Sequence, residues 1–127
     1  MEPGRPYPLI GVVGPCAAGK STLIAILRSR GIAVRHIAQE HSYVQAMWQR
    51  LTNPDLLVFL DVSYAETLKR RRLNWNESEY EEQQRRLGHA RAHADIYIFT
   101  DHLTPEEISA RLEVEIAAWL AQNPPQP

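Results

Sequence analysis

A second cysteine is missing from this sequence, and so is any excess of charge. The 127 residues include one cysteine, so no disulfide can form within the chain, and a reducing cytoplasm is the expected setting. Lys and Arg total 14 against 15 Asp and Glu, a formal net charge of -1. That balance argues against wholesale electrostatic capture by nucleic acid or an anionic membrane, so neither is an expected partner. No apolar run approaches the ~20 residues needed to span a bilayer. The start, MEPGRPYP, is rich in proline and has no apolar stretch of the kind a secretory signal needs. Repeats and low-complexity tracts are lacking as well. With 44% hydrophobic residues, the chain can bury a sizeable core, and its length suits one domain over 1–127. Residues 1–8 and 122–127 read as irregular tails.

What the chain does have is an alternation of two periodicities. Leu9 to Val13 is an apolar run with β-branched residues and no polar face, which suits a strand buried on both sides. Lys20 to Arg30 spaces Leu23, Ile24, Ile26 and Leu27 as a helix does, with Gly31 after it as a stop. Ala33 to Ala38 reads as a weaker strand. Ser42 is placed to cap a helix carrying Val44, Met47, Trp48 and Leu51, ended by Asn53-Pro54. Leu56 to Val62 is a second buried strand, and Ser63 with Glu66 forms a capping-box pattern. Residues 64–92 read as long, charged and mostly helical, with a break near Asn74-Trp75-Asn76. Asp95 to Thr100 is the last strand. Thr104-Pro105-Glu106-Glu107 then opens a helix with Ile108, Leu112, Ile116, Trp119 and Leu120 on one side. Strand and helix alternate four times, which predicts an α/β fold with a small parallel sheet of about four strands. Ligands on such sheets bind beyond the carboxyl ends of the strands.

Gly14 to Ser21, GPCAAGKS, matches the pattern G-x-x-x-x-G-K-S without a mismatch, between a buried strand and a helix. Such a loop turns its backbone N–H groups around an anion, glycines permit the close approach, and the following helix adds its positive end. Lys20 is expected on the β- and γ-phosphates and the Ser21 hydroxyl on Mg²⁺. Cys16 within the loop reads as a small residue that fits, with a reactive thiol as the sharper alternative. A further Mg²⁺ contact or a catalytic base is expected at a strand end, from Glu40, Asp61 or Asp101. Glu40 is preferred, because its strand is expected beside the loop strand. Local turn and cap chemistry accounts for Asp61, and Asp101 orders the turn before Thr104 or lies near a bound base.

Segment 64–92 carries seven basic residues: Lys69, Arg70, Arg71, Arg72, Arg85, Arg86 and Arg91. Glutamates interleave with them, so most belong to a solvated helical surface laced with ion pairs. The sharper reading has two or three of the arginines close over the phosphates, with Arg71, Arg72 and Arg86 as the chosen candidates. His89 and His93 have the i, i+4 spacing a metal can use, but no further ligand pattern joins them, and they read as surface histidines. Trp48, Trp75 and Trp119 read as core or hinge aromatics.

Three stretches together resemble the P-loop kinases of the nucleoside and nucleotide kinase group. They are GPCAAGKSTL, LVFLDVSYAETLKRR and ADIYIFTDHLTPEEI. The resemblance implies a three-layer α/β/α P-loop sandwich and an ATP- and Mg²⁺-dependent phosphotransferase acting on a small acceptor. It places Gly14, Pro15, Cys16, Ala17, Ala18, Gly19, Lys20, Ser21 and Thr22 at the nucleotide phosphates, and the arginines of 64–92 in a lid. Glu40 followed by Trp48 is similar to the base and tryptophan of deoxynucleoside kinases, with His41 where a proline is usual. Such kinases have five strands and a helical insertion that holds the acceptor. Only four strands are expected here, and between Glu40 and Leu56 there is space for one short helix only, so one strand and that insertion have no counterpart; a second copy of the chain is one way to complete the site. No N-K-x-D motif is present, which argues against a GTPase. A nucleotide-binding regulatory module without efficient turnover is the alternative expectation.

Overall fold

A computed structural model describes residues 8–71 and 74–124 of the chain. Four strands, β1 (Ile10–Val13), β2 (Val34–His36), β3 (Leu56–Asp61) and β4 (Ile96–Phe99), form one sheet in the order β2-β1-β3-β4. Every neighbouring pair is parallel, with Val12 opposite both His36 and Val58, and Val58 opposite Ile96. The all-parallel α/β architecture follows from the uniform burial of β1 and β3, whose residues are buried on both faces. Edge strand β4 instead alternates buried and exposed.

Among the described residues, five α-helices lie between the strands and a sixth follows β4. They are α1 (Lys20–Ser29), α2 (Met47–Leu51), α3 (Tyr64–Arg71), α4 (Glu77–Arg86), α5 (Gly88–His93) and α6 (Pro105–Gln122). A 3₁₀ turn covers Gln39–His41. Leu23, Ile24 and Leu27 of α1 and Ile108, Leu112 and Ile116 of α6 pack with Ile10, Val58, Leu60 and Ile98 on one face of the sheet. On the other face, Trp48 of α2, Leu87 between α4 and α5, and Ala90 of α5 pack with Val13, Leu57 and Phe59. Helices therefore cover both faces. Burial of the aliphatic side chains in these two clusters, at ~25 cal/mol per Å² of apolar surface, is the main source of cohesion.

The start of α6 matches its sequence signature. Thr104 accepts from Glu107 N–H, Glu107 returns a carboxylate to Thr104 N–H, and Pro105 occupies the first helical position. The break in the charged segment is also present, and Asn76 there forms a capping box with Glu79. At Ser63 only half of the expected box forms. Its hydroxyl accepts from Glu66 N–H, but its own N–H donates to Asp101, and Glu66 turns to Arg70. The helix expected from Ser42 is shortened to α2, whose N-cap is Ala46. Ser42 Oγ accepts locally from Val44 N–H, and the buried Gln39 amide takes Val44 C=O and Trp48 N–H, so this turn stays non-helical. Of the expected tails, residues 1–7 and 125–127 lie outside the described residues. Pro8 is buried, and α6 runs as far as Gln122.

Candidate functional site

The chain passes from β1 to β2 on one side and then crosses to β3 on the other, so strand order reverses at β1. Loop Gly14–Ser21 leaves the carboxyl end of β1 at that crevice, where open α/β sheets place their ligands. Gly14 packs against β3 so closely that a Cβ there would meet the Leu60 carbonyl oxygen at 2.1 Å. Gly19, with φ of 102°, supplies the left-handed N-cap from which α1 starts. Ala17 adopts φ of 66° although it is not glycine. A strained backbone of this kind, costing on the order of 1–3 kcal/mol, persists where the surroundings over-determine it, typically at ligand sites.

Lys20, the first residue of α1, turns back under the loop rather than out into solvent. Its ammonium donates to the Gly14 carbonyl and, at 2.9 Å, to that of Pro15. It also lies 3.0 Å from Glu40 Oε2, and the two side chains are 6% and 3% exposed. Glu40 thus stands beside the loop, as its place after β2 implied. The neighbouring Gln39 anchors it: Gln39 is buried and binds Val44, Trp48 and Arg86 at once. Glu40 Oε1 has no hydrogen-bond partner although it is buried. His36, at the end of β2, is lowered from its ordinary value of 6.5 by burial first and the Lys20 charge second, with Glu40 opposing.

The other loop residues divide between two sides. Ala17, Gly19, Ser21 and Thr22 line a cleft of about 300 Å³, closed opposite by Arg70, Leu103, Pro105 and Ile108. That volume is at the small end of small-molecule pockets. On the other side, Gln83 of α4 reaches Cys16: its Oε1 accepts from Cys16 N–H at 3.0 Å and its Nε2 donates to Sγ at 3.1 Å. One loop N–H is therefore already engaged.

The arginines separate in the same way. Arg86 donates to the Glu40 carbonyl, stacks 4.3 Å above the Tyr43 ring and is thereby held beside Glu40. Its Nε is 3.4 Å from a Glu82 carboxylate oxygen, yet makes no hydrogen bond of good geometry. Arg72 and the side chain of Arg71 lie outside the described residues. Arg70, not chosen on sequence, is the arginine at the loop. It donates to the Ala17 carbonyl at 3.1 Å and to Thr100 through both the hydroxyl and the carbonyl. The signal was helical phase: Arg70 lies three residues after the fully buried Thr67, so it shares the inward face of α3. No sequence signal pointed to Gln83, which is 67 residues from Cys16.

Turn and cap chemistry alone does not account for Asp61, contrary to expectation. Its Oδ1 accepts from Val62 N–H and Gln84 Nε2, and its Oδ2 accepts from the Tyr97 hydroxyl at 2.6 Å and lies 3.4 Å from Arg91. It is a buried hub joining β3, α4, α5 and β4. Asp101 accepts from the Ser63 N–H and hydroxyl, tying the turn after β4 to the one after β3. His89 and His93 stack on each other and meet the Trp48 ring at a tilt, and Trp48 Nε1 donates to His89 Nδ1 at 3.0 Å. Trp75 sits at the break, with its Nε1 on Thr67 and its ring between Tyr64 and Tyr80.

Among the described residues, no helix is long and apolar enough to cross a membrane. No protein-family model matches the chain, and no curated protein does either.

Proposed function

We propose that the chain is a small P-loop phosphotransferase of the three-layer α/β/α type that takes the γ-phosphoryl group of ATP. The observation that carries this reading is the buried Lys20–Glu40 pair at the mouth of a strained glycine loop. Burying two charges is unfavourable unless their positions are put to use, and a phosphate-binding lysine beside a carboxylate fits that demand. In this reading the loop N–H groups and the α1 N-terminus hold the phosphates. The cleft between Arg70 and Leu103-Pro105 receives the nucleoside part of the donor.

Lys20 exchanges its carbonyl and Glu40 contacts for the β- and γ-phosphate oxygens. Glu40 then orients or deprotonates the acceptor hydroxyl. Arg86, already fixed against Glu40 by Tyr43, supplies positive charge to the transferring group, and Arg70 does so from the opposite side. Ser21 and Glu40 are the residues that would hold Mg²⁺. They fit it, because Glu40 Oε1 is an orphaned buried oxygen and the Ser21 hydroxyl stands exposed at the start of α1. When bound, the ion neutralises charge on the β- and γ-oxygens. With only the short α2 between Glu40 and β3, the acceptor is small or held in a shallow cleft, which suits a nucleoside or nucleoside monophosphate, or a site completed by a second copy.

The test is ADP release from Mg²⁺-ATP with a panel of nucleosides and nucleoside monophosphates. At least one acceptor should stimulate it, and Lys20→Ala should lower the stimulated rate by roughly 10³-fold, the scale of removing a preorganised charge donor. Failure of every acceptor would defeat the transferase reading. The engagement of Cys16 N–H by Gln83 favours a second reading, a nucleotide-binding module with little turnover. That reading expects thermal stabilisation by ATP that is lost in Lys20→Ala, with turnover no better than in that variant.

A further inference from the structure

We propose that Cys16, Glu40 and His41 form a binding site for a borderline-soft divalent cation of the zinc type, beside the loop and distinct in chemistry from a Mg²⁺ position. One ligand atom from each of the three residues lies within 4.8 Å of the other two. His41 Nε2 and Glu40 Oε2 are 3.9 Å apart. Zinc bonds of ~2.0–2.3 Å in tetrahedral geometry set ligand atoms roughly 3.3–3.8 Å from one another. The widest separation in the cluster therefore needs a contraction of roughly 1.0–1.5 Å. His41 supplies it most readily, because its side chain is 61% exposed.

Three further observations point to a cation. The first is the orphaned Glu40 Oε1: a buried carboxylate oxygen without a partner carries a desolvation penalty that a bound cation removes. The second is the donor set itself, a thiolate, an imidazole and a carboxylate. Sulfur and nitrogen select zinc-like ions, whereas Mg²⁺ takes oxygen ligands throughout. The third is Gln83, whose Nε2 donates to Cys16 Sγ at 3.1 Å. An amide N–H held on the sulfur is the outer-sphere contact that orients and stabilises a thiolate ligand.

On binding, the Cys16 thiol gives up its proton to solvent, and sulfur forms the bond to the metal. Thiolate and carboxylate together balance the ion's two positive charges. The fourth position is left for water, as in open zinc sites. The Glu40 oxygen nearest His41, Oε2, is also the one that holds Lys20, so a cation taken through that oxygen displaces Lys20 from it. Antagonism between zinc and ATP follows from that displacement and rests on the phosphotransferase reading. The site itself does not.

The experiment is titration of the full chain with Zn²⁺ by calorimetry, and with Co²⁺ by absorption, in the absence of nucleotide. One equivalent should bind, and Co²⁺ should produce a thiolate-to-metal charge-transfer band. The chain has a single cysteine, so that band in the unaltered protein identifies Cys16 without any variant. Cys16→Ser should abolish the band, and His41→Gln should weaken binding at least tenfold to a hundredfold, the range that even outer-sphere partners command. The double change His89→Gln, His93→Gln should leave affinity unaltered. Absence of the band, binding unchanged in Cys16→Ser, or binding lost only in the His89, His93 variant overturns the proposal. Because no nucleotide is present, that failure leaves the phosphotransferase reading standing. Conversely, a protein inert toward every acceptor can still show the band.

Discussion

Glu40 and Asp61 are both buried carboxylates at carboxyl ends of strands that flank β1, yet their surroundings differ. Both oxygens of Asp61 are occupied, by a backbone N–H, an amide, a phenol and a guanidinium. Glu40 has one oxygen on Lys20 and the other on nothing. A carboxylate with every lone-pair direction answered from within the chain is a structural clamp, because any ligand would have to displace contacts that already satisfy it. A carboxylate left half answered retains its capacity for something that arrives from outside. Asp61 ends β3 and Glu40 sits in the 3₁₀ turn after β2, and both strands pair with β1, so the difference comes from what the connecting segments place opposite them.

Substitution should separate the two roles. If Glu40 is the acceptor base, Glu40→Gln should lower acceptor-dependent turnover by roughly 10²- to 10⁴-fold, about 3–5 kcal/mol of barrier, in a steady-state ADP assay. A variant with undiminished turnover would make the two carboxylates equivalent and erase the contrast. Next in size is Asp61→Ala, which strands the donors of Gln84, Tyr97 and Val62. It should cost roughly 3 kcal/mol in urea unfolding, with turnover per folded molecule unchanged. Loss of turnover there would move the catalytic carboxylate to Asp61.

A smaller effect is expected at Gln83, which contacts the loop from α4. Gln83→Ala frees Cys16 N–H, and nucleotide should bind about fivefold more tightly, near 1 kcal/mol, the usual net worth of one such hydrogen bond. Isothermal titration with ADP measures this, and weaker binding would show that Gln83 shapes the loop instead of competing for it. The smallest effect belongs to Tyr97. Its hydroxyl is raised from 10.0 to about 12, by burial first and then by its bond to Asp61. The folded state thus favours the neutral phenol. That contribution to stability is fully present below pH 10 and is lost as pH rises toward about 12. Tyr97→Phe should flatten the alkaline decline of the melting temperature across that window, although Tyr80, also raised, leaves part of it. An unchanged decline would detach Tyr97 from the Asp61 hub.

The loop, the parallel sheet and the entry to α6 were legible because each rests on neighbours in sequence. Glycine spacing, an apolar run without a polar face, and a Thr-Pro-Glu-Glu start are local chemistry. The placement of Glu40 was also readable, since β2 follows β1 by one short crossover and pairs with it. Arg70 was recoverable from helical phase, because it follows the fully buried Thr67 by three residues. The length of α2 was not readable, because Gln39 withholds Val44 and Trp48 from the helix through contacts no periodicity reports.

By itself, then, the sequence determined an α/β chain with a glycine loop of the G-x-x-x-x-G-K-S pattern, a lysine at its end and a carboxylate one strand away. Only the tertiary structure decided which carboxylate stays unsatisfied, which arginine reaches the loop and what lies over Cys16. The reason is separation along the chain. Gln83 meets Cys16 across 67 residues and Arg91 meets Asp61 across 30, and pairings of that reach depend on how α3, α4 and α5 pack, not on the residues beside them. One cysteine and a balanced charge first served only to exclude classes of protein. Folded against Glu40 and His41, that cysteine becomes a candidate metal ligand, because the fold brings together three donors from two separate loops.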